Sequence, residues 1–178
     1  MTIQDEIERR IMVVSQKAYL ALNGVVNTRC KSIGLLHMNY DDFLDPDNIF
    51  AAIPMAFNAN NAKRQLIVIV MDKISSIMMD MDRKYWDTNI VSIVTHELCH
   101  GDQYINKDRY MTDPQYRYEI ERDANMNAFR FIYNYKEWMQ DRIGVSIYTD
   151  YIEEIWGKYL SPNFLAKVKE KYISLCHH

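Results

Sequence analysis

Apolar positions at 7, 11, 14 and 18 recur at three- and four-residue intervals, and this predicts a helix over Thr2 to Leu22. Thr2 with Asp5 three positions on forms the start signal of a capping box, and Gly24 stands where the helix can close. The pattern then shortens. The run SIGLLHMNY, Ser32 to Tyr40, predicts a strand that includes His37. Asp41 to Asn48 is acidic and holds Pro46, which marks a loop without the D-x-D-x-D-G order of a calcium site. Ala52 to Phe57 and Gln65 to Met71 predict two more strands, joined by the turn-forming NANNAKR. QLIVIVM is almost continuously apolar and β-branched, as in a strand buried on both faces. A short helix is expected around Ile74 to Met79, with the nearby methionines filling the core.

The period of a helix returns over Thr88 to Tyr104, with Asp87 or Thr88 as cap. Val91, Val94 and Leu98 form its apolar back, and the front is polar. Ile105 to Asp113 is polar and reads as a loop. Asp113-Pro114 starts a long helix, a cap followed by proline at the first helical position, which runs to about Asp141 before Gly144. Thr149 to Tyr159 and Ser161 to Leu175 predict two further helices. Trp138, Trp156, Tyr159 and Phe164 are expected in the core. Repeats and low-complexity linkers are absent from the sequence. The expectation is one α+β domain over residues 1–176, a small sheet packed on the helix of residues 88–104. His177 and His178 read as the start of a purification tag and are set aside.

Composition narrows the function classes. The 178 residues are 48% hydrophobic and 25% charged, which fits a globular domain able to bury a real core. A net charge of −3 provides no global field for nucleic acid or an acidic membrane. The N-terminus MTIQDEIERRIM lacks the apolar region of an export signal, and apolar stretches are too short to span a bilayer. A cytoplasmic location is expected. Cys30, Cys99 and Cys176 form no CxxC pair, so reduced thiols are the simpler reading; Cys99 is expected to pack on the core.

The candidate chemistry lies in THELCH. His96 and His100 are one helical turn apart and about 40° apart around the axis, so both imidazoles can reach one metal ion. Glu97 sits about 100° round from His96, where a carboxylate can act on water without ligating the metal. This is the H-E-x-x-H arrangement. The bland alternative is a surface helix whose histidines bind nothing. A catalytic zinc takes three protein ligands and leaves a fourth position open. With the terminal pair set aside, His37 is the one other histidine, and it has no ligand neighbours at useful spacing. The third ligand should therefore be a downstream carboxylate. Glu119 is favoured, because Asp123 one turn on could accept an N–H from a ligating histidine. Glu121 points about 200° away from Glu119 and has the weaker orienter Asn125 at the same offset.

His96-Glu97-Leu98-Cys99-His100 followed by Glu119-Ile-Glu-Arg-Asp123 resembles the gluzincin class of zinc metallopeptidases. The wider strings HELCHGDQY and YEIERDANMNAF resemble small intracellular or phage-borne members with H-E-L-x-H-x-x-Q and E-x-E-x-[DN]. HELCH is also similar to the SprT-like proteases, but their third histidine has no counterpart here, and the metzincin extension is missing. The resemblance implies a zincin-like fold, a Zn2+ cofactor, Glu97 as general base and a protein or peptide substrate. In a phage-encoded case the setting would be the host cytoplasm. An oxyanion donor is expected among Tyr104, Tyr110, Tyr116, Tyr118 and Arg117, with Tyr104 and Tyr116 put first. The strand at 52–57 or the one at 65–71 would hold substrate backbone. The alternative is a zinc-stabilised binding module that retains the motif without turnover.

Overall fold

The computed structural model describes residues 2–23, 25–26, 33–39, 56–61, 64–101 and 103–156. The loop expected at 41–48, the helix at 161–175, Gly24, Cys30, Tyr159, Phe164, Cys176 and the terminal histidines lie outside them. Helix α1 (Ile3–Leu22) starts as its sequence requires. The Thr2 hydroxyl accepts from the Asp5 amide at 3.1 Å, and the Asp5 carboxylate accepts from the Thr2 amide at 2.6 Å. Its inner stripe, from Ile7 through Ile11, Val14 and Ala18 to Leu22, is fully buried.

Strands β1 (Ile33–Met38), β2 (Ala56–Asn61) and β3 (Arg64–Val70) form a mixed sheet in the order β1-β3-β2. β1 runs parallel to β3, and β2 runs antiparallel to it with Asn61 opposite Arg64. Ile67 to Val70 are buried on both faces, as the unbroken apolar run predicts. The asparagines expected in the connecting turn instead belong to β2, which extends to Asn61. Turn propensity yields here to pairing with a strong central strand.

Helix α2 (Met71–Met79) follows β3 directly and leads through a 3₁₀ turn (Arg83–Tyr85) into α3 (Trp86–His100). Helix α3 begins two residues earlier and ends four earlier than its pattern predicts. Asp87 and Thr88 therefore lie inside it and do not cap it. It also has no polar front open to water. Thirteen of its fifteen residues are buried, because α1, α5 and the sheet surround it. Ser92 and Thr95 satisfy their hydroxyls inside this layer by donating to the carbonyls of Thr88 and Val91.

The segment read as a loop contains a short helix, α4 (Lys107–Thr112), capped by the Asn106 side chain on the Arg109 amide. Its six residues, KDRYMT, are too few and too polar to give an apolar period, which is why the sequence pattern misses it. Helix α5 (Pro114–Ile143) is capped by Asp113 on the Tyr116 amide at 3.0 Å and closes at Gly144, whose φ of 74° favours glycine. The helix bends at Tyr135, where φ and ψ leave the helical range. No proline or glycine stands there; the Tyr135 ring packs between Phe131 and Trp138. Helix α6 (Thr149–Trp156) completes the described chain, with Tyr151 and Ile152 in the core. No helix among the described residues is long and apolar enough to cross a membrane.

Candidate metal centre

Helix α3 delivers its last turn to the first third of α5, and the side chains that meet there are His96, His100 and Glu121. The two imidazoles approach through Nε2, 3.0 Å apart, with the rings nearly perpendicular. One carboxylate oxygen, Glu121 Oε2, lies 3.2 Å from His96 Nε2 and 3.5 Å from His100 Nε2. Three donors thus form a near-equilateral triangle. A tetrahedral ion with ligand distances of about 2.0–2.1 Å has ligand-to-ligand edges of about 3.3–3.4 Å. The triangle and its donor set fit zinc on size and on chemistry. Among the described residues the group comprises these three. The Glu121 side chain is 37% exposed, against 14% for His96 and 8% for His100.

Glu121, and not the expected Glu119, joins the histidines. Glu119 accepts from Gln115 at 3.0 Å along its own helix. The reason lies in which stripe of α5 presses on α3. Ala124 and Ala128 are fully buried against Cys99, and Glu121 precedes them by three and seven residues, on the same face. Glu119 lies about 140–180° away from those alanines. Small residues mark the close approach of two helices, and this signal was present in the sequence. Asp123 likewise does not serve as orienter: it is exposed beside Arg122, 3.5 Å away.

Of the five candidate donors, the two put first do not enter the triangle. Tyr104 is 88% exposed. The Tyr116 hydroxyl accepts from the Asn106 amide at 3.1 Å and donates to the Tyr104 carbonyl, tying down the connector instead of entering the site. The tyrosine that reaches the centre is Tyr110 of α4, whose hydroxyl donates to Glu121 Oε1 at 2.5 Å. This leaves Oε2 for the histidines. Gln103 does the corresponding work for His100: its side-chain oxygen lies 2.7 Å from Nδ1. His37, far along the chain in β1, is half-buried, with Nε2 2.8 Å from the Ser15 hydroxyl.

Charge at the centre is tightly balanced. Burial pushes the Glu97 carboxyl up; the two histidines pull it back and Glu121 adds to the rise, and the net direction is up. Glu97 is 5% exposed. Burial likewise opposes charge on Glu121 and His100, but their mutual contact outweighs it. The Glu121 carboxyl is held well below its ordinary range by His100 and His96. His100 is raised to about 9 by Glu121, Glu97 and Gln103. For Tyr110, burial first and Glu121 second keep the phenol protonated well above its usual range. His37 offers the contrast: burial lowers it.

The arrangement can hold one divalent ion on two imidazoles and a carboxylate, with a buried second carboxylate coupled to it. Comparison of the chain with protein-family models, with curated proteins and with solved structures finds no match.

Proposed function

We propose that this chain is a zinc-dependent peptidase of zincin-like architecture, with His96, His100 and Glu121 as metal ligands and Glu97 as general base. The observation that carries this reading is the donor triangle, with edges of 3.0, 3.2 and 3.5 Å contributed by two separate helices. A bound zinc supplies Lewis acidity and brings the pKa of a water towards ~7. The chain's own residues do the rest. Glu97 follows His96 directly on α3 and is coupled electrostatically to all three ligands. Its upward shift suits a group that takes a proton from water and passes it to a departing amine nitrogen. Tyr110 holds one oxygen of Glu121, so the other stays aimed at the histidines.

The test is metal content together with peptide hydrolysis, for wild type and Glu97→Gln. One zinc per chain is expected in both. Hydrolysis should fall by about 10²–10⁴-fold in the variant. Absence of zinc from the purified and zinc-treated wild type overturns the reading. Zinc without hydrolysis of any peptide in a diverse library favours a zinc-stabilised binding module instead.

A further inference from the structure

Gln103 lies three residues beyond His100, in the connector that leaves α3. Its backbone amide donates to the His100 carbonyl at 3.1 Å, which folds the chain back under the ring. Its side chain then makes two contacts of opposite sense. The amide nitrogen donates to the Ile120 carbonyl of α5 at 2.9 Å, and the amide oxygen lies 2.7 Å from His100 Nδ1. A carbonyl can only accept, so the nitrogen belongs on the Ile120 side and the oxygen on the ring side. An amide oxygen can only accept as well, so His100 Nδ1 must carry a hydrogen. In the neutral ring this leaves the lone pair on Nε2, the atom that faces His96 and Glu121. Ile120 is the residue just before Glu121. One side chain therefore selects the tautomer of one donor and fixes the backbone next to another.

We propose that Gln103 is the positioning residue of this centre: it orients His100 for metal through its oxygen and registers α5 against α3 through its nitrogen. The inference rests on the metal reading given above. It assigns to a neutral amide the task that Asp123 was expected to perform. A carboxylate there would serve the ring but could not donate to Ile120; the amide serves both.

The experiment measures zinc affinity by competition with a chelating dye for wild type, Q103L and Q103E, with the visible spectrum of the cobalt(II)-substituted proteins as a second readout. Loss of an outer partner of a ligating histidine costs about 10–100-fold in metal affinity, and Q103L should lose that much. Its cobalt spectrum should shift, because the ring is no longer held. Q103E keeps an acceptor for the Nδ1 hydrogen and should recover part of the affinity. Thermal unfolding of the chelator-treated proteins separates this role from a merely structural one, which would lower stability and leave the affinity unchanged. Should Q103L fail to fold, Q103M, which preserves the length of the side chain, takes its place with the same loss expected. Wild type and the apolar variant binding zinc equally, with the same cobalt spectrum, overturns this inference alone. A wild type that takes up no zinc overturns the metal reading and this inference with it.

Discussion

The two ends of helix α3 are buried alike and use burial in opposite ways. At its start, Trp86, Ile90 and Val91 pack in the core, and Trp86, Thr88 and Asn89 each meet a neutral partner. Trp86 Nε1 donates to the Met78 carbonyl at 3.0 Å; the Thr88 hydroxyl accepts from the Tyr148 amide at 3.0 Å; Asn89 accepts from the Tyr151 hydroxyl at 3.2 Å. At its end, the same helix buries Glu97 and His100 beside Glu121. Neutral pairs at one end cost little to bury and hold the helix in place. Ionisable groups at the other end are costly to bury unless charges meet charges. The difference teaches that the first end is built for stability, and that the second gives some of it up to bury a cluster of ionisable side chains.

Breaking the second end should have the largest effect. Glu121→Ala should weaken zinc binding by more than the about 10–100-fold that loss of an outer partner costs, while Glu119→Ala should leave it near the wild-type value. Chelator competition on the two variants decides between the carboxylates; the reverse order would return the role to Glu119. Breaking the first end should act on folding alone. Ile90→Ala removes a side chain that is 1% exposed and should cost about 2–5 kcal/mol in a denaturant titration. Its zinc affinity, measured on the folded fraction, should equal that of wild type.

The end that buries His100 and Glu121 should also respond to pH. In the metal-free protein His100 is raised from 6.5 to about 9, so its contribution to stability is fully present below 6.5 and is lost as pH rises through about 9. Glu121 is lowered from 4.5, so its contribution is present above 4.5 and is lost as pH falls further. The pair therefore stabilises the metal-free chain most between pH 4.5 and 6.5. Zinc must displace the His100 proton, so its affinity should climb from pH 6.5 to about 9, opposite to the stability of the metal-free form. Melting curves with and without zinc across this range check both signs. The smallest effect is expected from Arg10→Ala. Arg10 pairs with Asp87 near the start of α3, but its side chain is 46% exposed, and such pairs contribute about 0–1 kcal/mol.

What the sequence made legible follows the range of the cause. The Thr2–Asp5 capping box, the Asp113-Pro114 start and the Gly144 stop are local chemistry, and each stands where it was read. His96, Glu97 and His100 were legible for the same reason: helical spacing alone places them together. Glu121 was not, because its choice over Glu119 depends on which stripe of α5 meets α3, a tertiary fact signalled by Ala124 and Ala128. Helical offsets within α5 do not reveal the orienters, because Gln103 and Tyr110 come from the connector between the helices. The near-complete burial of α3 escaped notice because its hydroxyls bond back to its own carbonyls, and so polar letters occupy core positions.

The bend at Tyr135 has its own consequence. It divides α5 into a forward arm that carries Glu121 and a rear arm that carries Met139 and Ile143 into the hydrophobic interior. A straight rod would transmit any adjustment at one tip to the other. With the bend between them, the forward arm keeps Ala124 and Ala128 against Cys99 while the rear arm takes the separate direction that seats Met139 and Ile143 in the core.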